Sequence, residues 1–253
     1  MILDKFSLAG KTAIVTGANT GLGQGIAAAY AEAGANVVGV SRSDMDETEK
    51  IIRDLGGRFT GVLADLGTRE PIAGIIKTTL DQYGRVDILV NNAGIIRRED
   101  ALNFSEQDWD DVINVNQKTV FFFCQAVAKQ FTEQKSGGKI INIASMLSFQ
   151  GGIRVPSYTA SKSAVKGLTM ALANEWAKYN IQVNAIAPGY MVTNNTALLR
   201  ADSNRNAAIL DRIPAGRWGT PEDLAGAAVF LASSASDYVN GFTMAVDGGW
   251  LAR

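Results

Sequence analysis

Short runs rich in β-branched residues alternate along the chain with longer stretches whose apolar residues recur at helical spacing. The pattern predicts strands at 12–16, 36–40, 59–64, 88–91, 139–144, 182–186 and 242–246. Between them it predicts helices at 23–33, 47–55, 71–83, 105–134, 158–179 and 221–232, with Gly34 closing the first as a C-cap does. Alternation of this kind builds a parallel sheet with helices on both faces, because each helical crossover brings the next strand in along the same direction. No Pro- or Ser-rich linker, internal repeat or low-complexity tract divides the 253 residues. The expected fold is α/β: a single Rossmann-type, doubly wound domain with a seven-stranded parallel sheet flanked by helices.

Composition narrows the chemistry more than the fold. At 47% hydrophobic and 19% charged, the chain can bury a large core without disulfides or metal. Its one cysteine, Cys124, lies in the apolar run 120–124 and is expected to be a buried structural thiol. There is no histidine, so neither a His-ligated zinc nor a Ser-His-Asp triad can be built, and no metal site is expected. A general acid or base must come from Tyr, Lys, Asp, Glu or that cysteine. Lys and Arg total 24 against 25 Asp and Glu, which leaves no basic footprint for nucleic acid. No apolar stretch of 18 residues is present to span a bilayer, and the opening residues lack a signal-peptide pattern, so a cytoplasmic protein is expected.

Candidate chemistry begins after the first strand, at Gly17-Ala18-Asn19-Thr20-Gly21-Leu22-Gly23. Glycines at 17, 21 and 23 where a strand turns into a helix allow close backbone approach, so that amide N–H groups and the helix N-terminus can hold a pyrophosphate. Three glycines could also serve only a tight turn; the strand before and the helix after favour the dinucleotide. Cofactor choice is read at the end of the second strand, where an acidic residue would take the adenosine ribose hydroxyls. Ser41 stands there, followed by Arg42, a pair that leans towards a 2′-phosphate; a solvated surface residue is the alternative reading of Arg42. Asp65, with Leu66 beside it, follows the third strand and is placed to approach adenine or to cap a helix.

Further along lie Ser145 and Tyr158-x-x-x-Lys162. Residues four apart share a helix face, and an ammonium beside a phenol, which ordinarily titrates near 10, would favour the phenolate. Alone, such a pair is usually just one face of a helix. Taken in order, Thr16-Gly17-x-x-x-Gly21-x-Gly23, Asn91-Asn92-Ala93-Gly94, Ser145, Tyr158-x-x-x-Lys162 and Pro188-Gly189 resemble the short-chain dehydrogenase/reductase family over almost the whole chain.

The resemblance implies that Tyr158 is the general acid/base, Lys162 its partner and ribose clamp, and Ser145 the group that binds the substrate oxygen. The family's active-site Asn falls on Asn116, which would take part in a proton relay reaching Lys162; Asn114 is the rival position. Asn19, Thr20, Leu22, Asn92, Ala93, Gly94, Pro188, Gly189, Met191 and Thr193 would surround the dinucleotide. The segments 92–101, 145–158, 187–196 and 246–253 are similar to a subgroup that interconverts keto and hydroxy sugar acids with NAD in bacterial pectin and uronate breakdown. On that ground NAD is preferred over NADP despite Ser41-Arg42.

An anionic substrate needs a pocket guanidinium. Arg154, four residues before Tyr158, is the first choice, with Arg97 and Arg98 next; Gln150, Asn194 and Asn195 are candidates for sugar hydroxyls. The polar stretch within 190–213 is expected to be a substrate lid, though it could be plain surface helix. The family resemblance also implies a homotetramer, with the run 120–127 and Trp250-Leu251 as interface candidates. A reductase of another carbonyl, such as a 3-oxoacyl thioester, is the alternative enzyme, and a nucleotide-sensing scaffold the alternative outside catalysis.

Overall fold

The computed structural model describes residues 1–253. Seven strands, β1 (Thr12–Thr16), β2 (Asn36–Ser41), β3 (Arg58–Leu63), β4 (Ile88–Asn91), β5 (Gly138–Ile143), β6 (Ile181–Pro188) and β7 (Thr243–Val246), form one sheet. Their order is β3-β2-β1-β4-β5-β6-β7, and every pair is parallel. The winding reverses between β1 and β4, and the crevice beyond the carboxyl ends of those two strands is where such sheets take a ligand.

The helices are α1 (Gly21–Glu32), α2 (Asp46–Asp54), α3 (Pro71–Tyr83), α4 (Glu106–Ile113), α5 (Thr119–Gln134), α6 (Pro156–Trp176), α7 (Ala197–Ala201), α8 (Ser203–Arg212) and α9 (Pro221–Ala232). Alternation along each strand sends side chains to opposite faces. Thus Ile14 joins Val38, Leu89, Phe123, Val127, Phe131, Val165 and Leu172 beneath α3, α5 and α6. Its neighbours Ala13 and Val15 join Ile26, Tyr30, Val37, Ile88, Leu224 and Leu231 beneath α1 and α9. Two cores of similar size therefore hold one sheet between them, as expected from strands that read as continuous apolar runs.

Most predicted boundaries fall within two or three residues of the observed ones. Two differences matter for function. The helix predicted over 105–134 is interrupted by a π-helical turn at Asn114–Lys118, where Thr119 N–H donates to the carbonyl five residues back, at Asn114. The stretch 190–213 is itself ordered into a 3₁₀ turn (Asn194–Thr196), α7 and α8. Asp202 accepts from the Asn204 and Arg205 N–H groups and so caps α8, while Ile209 and Ile213 bury themselves against Met146 and Trp250.

Of the run 120–127, Val120, Phe123, Cys124 and Val127 are spent inside the chain's own core, leaving Phe121, Phe122 and Ala126 partly exposed. Cys124 is a buried thiol, pushed up to about 12 by that burial. No helix is long and apolar enough to cross a membrane.

Candidate active site

The glycine loop closes on the turn that follows β4. Gly17 and Gly21 have positive φ, 64° and 57°, which side chains rarely adopt. Gly23 meets a different demand: a Cβ there would lie 2.0 Å from the Gly17 carbonyl oxygen and 2.5 Å from Asn92 Nδ2. Asn92 explains that crowding, because its amide donates to the carbonyls of Thr16 (2.9 Å) and Gly17 (3.2 Å). Thr16 Oγ1 in turn accepts from the Asn92 and Ala93 N–H groups, both at 2.9 Å. Asn91 plays another part. It is buried and donates to Asn142 Oδ1 on the neighbouring strand at 2.9 Å, tying β4 to β5.

Above this loop lies a cleft of about 500 Å³, lined among others by Asn19, Ser41, Arg42, Asp65, Leu66 and Gly94. It runs through Gly17, Asn19, Ala93 and Gly94 into a second compartment of about 250 Å³ with Thr20, Gly21, Leu22, Asn92, Tyr158, Lys162, Thr193 and Asn194 on its walls. These residues suit a dinucleotide: hydroxyls and a guanidinium at the end of β2, the bare backbone of Gly17, Gly21 and Gly94 on the walls, and a helix N-terminus in the middle. Four of the predicted cofactor residues lie off these walls. Gly23 packs the loop, Pro188 is buried at the end of β6, and Met191 is buried with its sulfur close over Gly219. Gly189 belongs to the substrate side, pressed against the Asp247 backbone.

Tyr158 and Lys162 line the second compartment, and Ser145 stands beside Tyr158 on the wall of the adjoining pocket. Ser145 follows β5 and caps a short 3₁₀ turn through its hydroxyl. Tyr158 and Lys162 lie on successive turns near the start of α6, which Pro156 opens two residues earlier than predicted. Lys162 is buried, donates to the Ile143 carbonyl, and has its Nζ 5.7 Å from the Tyr158 ring centroid. Burial pushes the Lys162 ammonium down to about 8. The phenol was expected to be lowered by that ammonium. Instead burial raises it, with the Ser145 hydroxyl and the positive charge of Arg98 acting in the opposite direction. The reason is geometric, because the ammonium is aimed at a backbone carbonyl rather than at the phenol oxygen.

A pH dependence follows. Lys162 carries its charge below about pH 8 and loses it above, so kcat/KM for carbonyl reduction should decline on the alkaline side of about 8. In Lys162→Arg, whose charge persists, that limb should vanish from the accessible range whatever the absolute rate. An unchanged limb would assign it to another group.

Asn116 occupies the middle of the π turn and is fully buried. Its amide grips the Ile95 backbone on both sides, N–H and carbonyl each at 2.9 Å, and donates to Ser161 Oγ on α6 at 3.3 Å. The wide turn brings this side chain between the β4 loop and the catalytic helix. Asn114, the rival, is only partly buried and makes no side-chain bond of this kind.

Beside Ser145 and Tyr158 opens a pocket of about 420 Å³. Arg98, Arg205 and Arg212 line it together with Gln150, Asn195 and Trp250, and no carboxylate does. None of the three arginines is in an ion pair, whereas Arg97 is held by Asp108 (3.2 Å) and Asp111 (3.0 Å). Arg154, the first choice from sequence, is also corrected. It has φ +64°, lies between Glu99 (3.5 Å) and Asp100 (3.4 Å), and stays off the pocket wall. Asn194 faces the cofactor side, and Asn195 is shared by both compartments. Sequence reasoning missed Arg205, Arg212 and Trp250. The available signal was two arginines seven apart in the polar stretch, which places them on one face of a helix.

Such a site, a dinucleotide cleft with Tyr and Lys on its wall and Ser beside the Tyr, defines a nicotinamide-dependent oxidoreductase. Residues 17–251 match the family model described as enoyl-(acyl carrier protein) reductase. The chain is 65% identical, over the whole of both chains, to the 2-dehydro-3-deoxy-D-gluconate 5-dehydrogenase of Dickeya dadantii strain 3937. A solved structure from Agrobacterium tumefaciens with bound NADP, described as a 2-deoxy-D-gluconate 3-dehydrogenase, superposes with a TM-score of 0.93 at 60% identity, covering 98% of this chain and 99% of that one. A gluconate 5-dehydrogenase from Burkholderia cenocepacia J2315, in complex with NADP and tartrate, gives 0.94 at 39% identity with both chains fully covered. The chain belongs to the short-chain dehydrogenase/reductase family and uses NAD(P).

Proposed function

We propose that the protein interconverts 2,5-diketo-3-deoxygluconate and 2-keto-3-deoxygluconate, in bacterial uronate and pectin breakdown. The observation that carries this reading is the pocket beside Tyr158 and Ser145, which has three unpaired arginines and no carboxylate. A wall of that charge suits a small anionic substrate and opposes a long neutral acyl chain. Full-length identity to enzymes named for this reaction supports it.

A dinucleotide held by the Gly17–Gly23 loop and the walls of the two compartments would supply or accept the hydride at the carbonyl carbon. The Ser145 hydroxyl holds the substrate oxygen, and Tyr158 gives that oxygen a proton in reduction or takes one in oxidation. Lys162 keeps positive charge beneath the tyrosine and reaches the ribose. Asn116 positions the Ile95 segment and α6 relative to each other, because both hydrogens of its amide nitrogen and its carbonyl oxygen bind them. Residues 190–213 act as a lid over the substrate, and the active assembly is a cytoplasmic homotetramer, the latter measurable by light scattering.

Ser41, Arg42 and Ser43 leave the 2′ position of the adenosine ribose without an acidic neighbour on β2, so NADP is accepted as well as NAD. Replacing Ser41→Asp should therefore weaken NADP by at least about 10-fold through charge repulsion while leaving NAD equal or better. Equal loss of both dinucleotides would show that position 41 does not face the ribose.

The direct experiment follows absorbance of the reduced nicotinamide with 2-keto-3-deoxygluconate, NAD and NADP being supplied in parallel. Turnover with either is the expected result. Turnover of a 3-oxoacyl thioester without turnover of the sugar acid would replace this reading.

A further inference from the structure

Three arginines share the pocket wall, but they are not equivalent. Arg98 spends one Nη on the Asn195 carbonyl at 3.1 Å and sits close enough to Tyr158 for its charge to act on the phenol. It therefore belongs to the reacting end. Arg205 has neither a stacking partner nor a side-chain bond, so its flexible stem would lose much freedom on fixing an anion.

Arg212 is held on two sides. Its guanidinium carbon lies 4.0 Å from the centre of the Trp250 ring, and Nη2 donates to Gln150 Oε1 at 3.3 Å. Trp250 is itself fixed: it is 4% exposed, packs edge-on to Tyr190 at 4.8 Å, and lies in one small core with Met146, Ile209 and Ile213. Gln150 follows the 3₁₀ turn that Ser145 caps, so it is attached to the catalytic loop. Arg212 is also in the last turn of α8, where the helix dipole favours a cation. A planar fork stacked on a rigid indole keeps the edge N–H groups that Gln150 does not take free for a carboxylate, which such a fork grips bidentately.

We propose that Arg212, positioned by Trp250 and Gln150, anchors the carboxylate of the substrate at the end of the pocket away from Tyr158 and so selects acids over neutral carbonyl compounds. This rests on the proposed function in taking the substrate to be a sugar acid. In that acid the C1 carboxylate stands four bonds from the C5 carbonyl carbon, so its anchor is a cation other than the one acting on Tyr158. Trp250 is a positioning residue that sets where the guanidinium stands. The stack adds a link between lid and catalytic loop, since α8 carries the arginine and the loop carries its second partner.

The test compares 2-keto-3-deoxygluconate with its neutral methyl ester on the intact enzyme with dinucleotide. Arg212→Met should raise KM for the acid by about 100-fold, change kcat by less than about threefold, and leave the ester unaffected. Trp250→Phe should keep the acid KM near that of the parent, while Trp250→Leu raises it by about 10-fold on the acid alone. Calorimetry with tartrate on the dinucleotide-bound protein supplies a readout without turnover, and Arg212→Met should weaken that anion by at least about 10-fold. An acid KM unchanged in Arg212→Met, or equal losses on acid and ester, would overturn the assignment while the proposed reaction stands. If the parent enzyme does not turn over the sugar acid, the proposed reaction fails, and the tartrate titration then decides about Arg212 by itself. Equal tartrate binding in parent and variant overturns the assignment.

Discussion

Tyr158→Phe is expected to lower kcat by about 1000-fold or more while dinucleotide affinity, followed by fluorescence, shifts by less than about threefold. The substitution removes one oxygen and leaves the ring. The ring is half-buried between the two compartments, and the neighbouring ammonium is held by the Ile143 carbonyl, so neither has cause to move. What disappears is the only phenol placed next to Ser145. The chain has no histidine and the substrate pocket wall no carboxylate, and the other phenol on that wall, Tyr190, packs edge-on against Trp218 and Trp250. Residual activity above about a tenth of the parent would mean that the proton travels by another route, and the role given to Tyr158 would have to be withdrawn.

Gly23→Ala should be nearly as damaging, through binding instead of chemistry. The new methyl would sit 2.0 Å from the Gly17 carbonyl oxygen and 2.7 Å from its carbon. Those are backbone atoms, so no flexible side chain can swing aside, and the Asn92 bonds that brace the loop pass through the same space. Overpacking of this sort costs about 1–3 kcal/mol. Placed on the phosphate cradle, it should weaken the dinucleotide by up to about 100-fold. Gly74→Ala on α3 is the control, because nothing lies within 4 Å of a Cβ there and alanine suits an exposed helix position better. Calorimetry of dinucleotide binding with circular dichroism of both variants tests the contrast, and equal binding by both would show that the loop can relax.

The sheet and the glycine loop were legible because they are encoded locally, and the candidate catalytic residues because their order along the chain matches the family's. Alternating β-branched runs mark β1, β2 and β4, and glycines at fixed offsets mark the loop. Tyr158 and Lys162 announce their shared face by their spacing on α6. The anion-binding wall was not legible in the same way. Arg154 stands nearest to Tyr158 along the chain, but the acidic pair Glu99 and Asp100 reaches it from a distant loop. Arg212 stands more than fifty residues after Tyr158, and only the folding of α8 across the pocket makes them neighbours. The π turn escaped for another reason: apolar residues on either side keep helical spacing, so the pattern runs on through 105–134 without a visible break.

That turn has a consequence for how the protein can vary. A bond reaching five residues back instead of four takes up one residue more than a regular helix needs, and backbone of this kind is less favourable than the α-helix on either side. Deleting a single residue among 114–118 would let α4 and α5 fuse into one straight rod, and the fused helix could melt at a higher temperature than the original. It would also rotate one half against the other by about 100°, the angle of one helical residue. Asn116 would swing off Ile95 and Ser161, and the catalytic helix would lose its brace to the loop beside the cofactor cleft. At this point of the chain selection for heat resistance and selection for turnover pull in opposite directions.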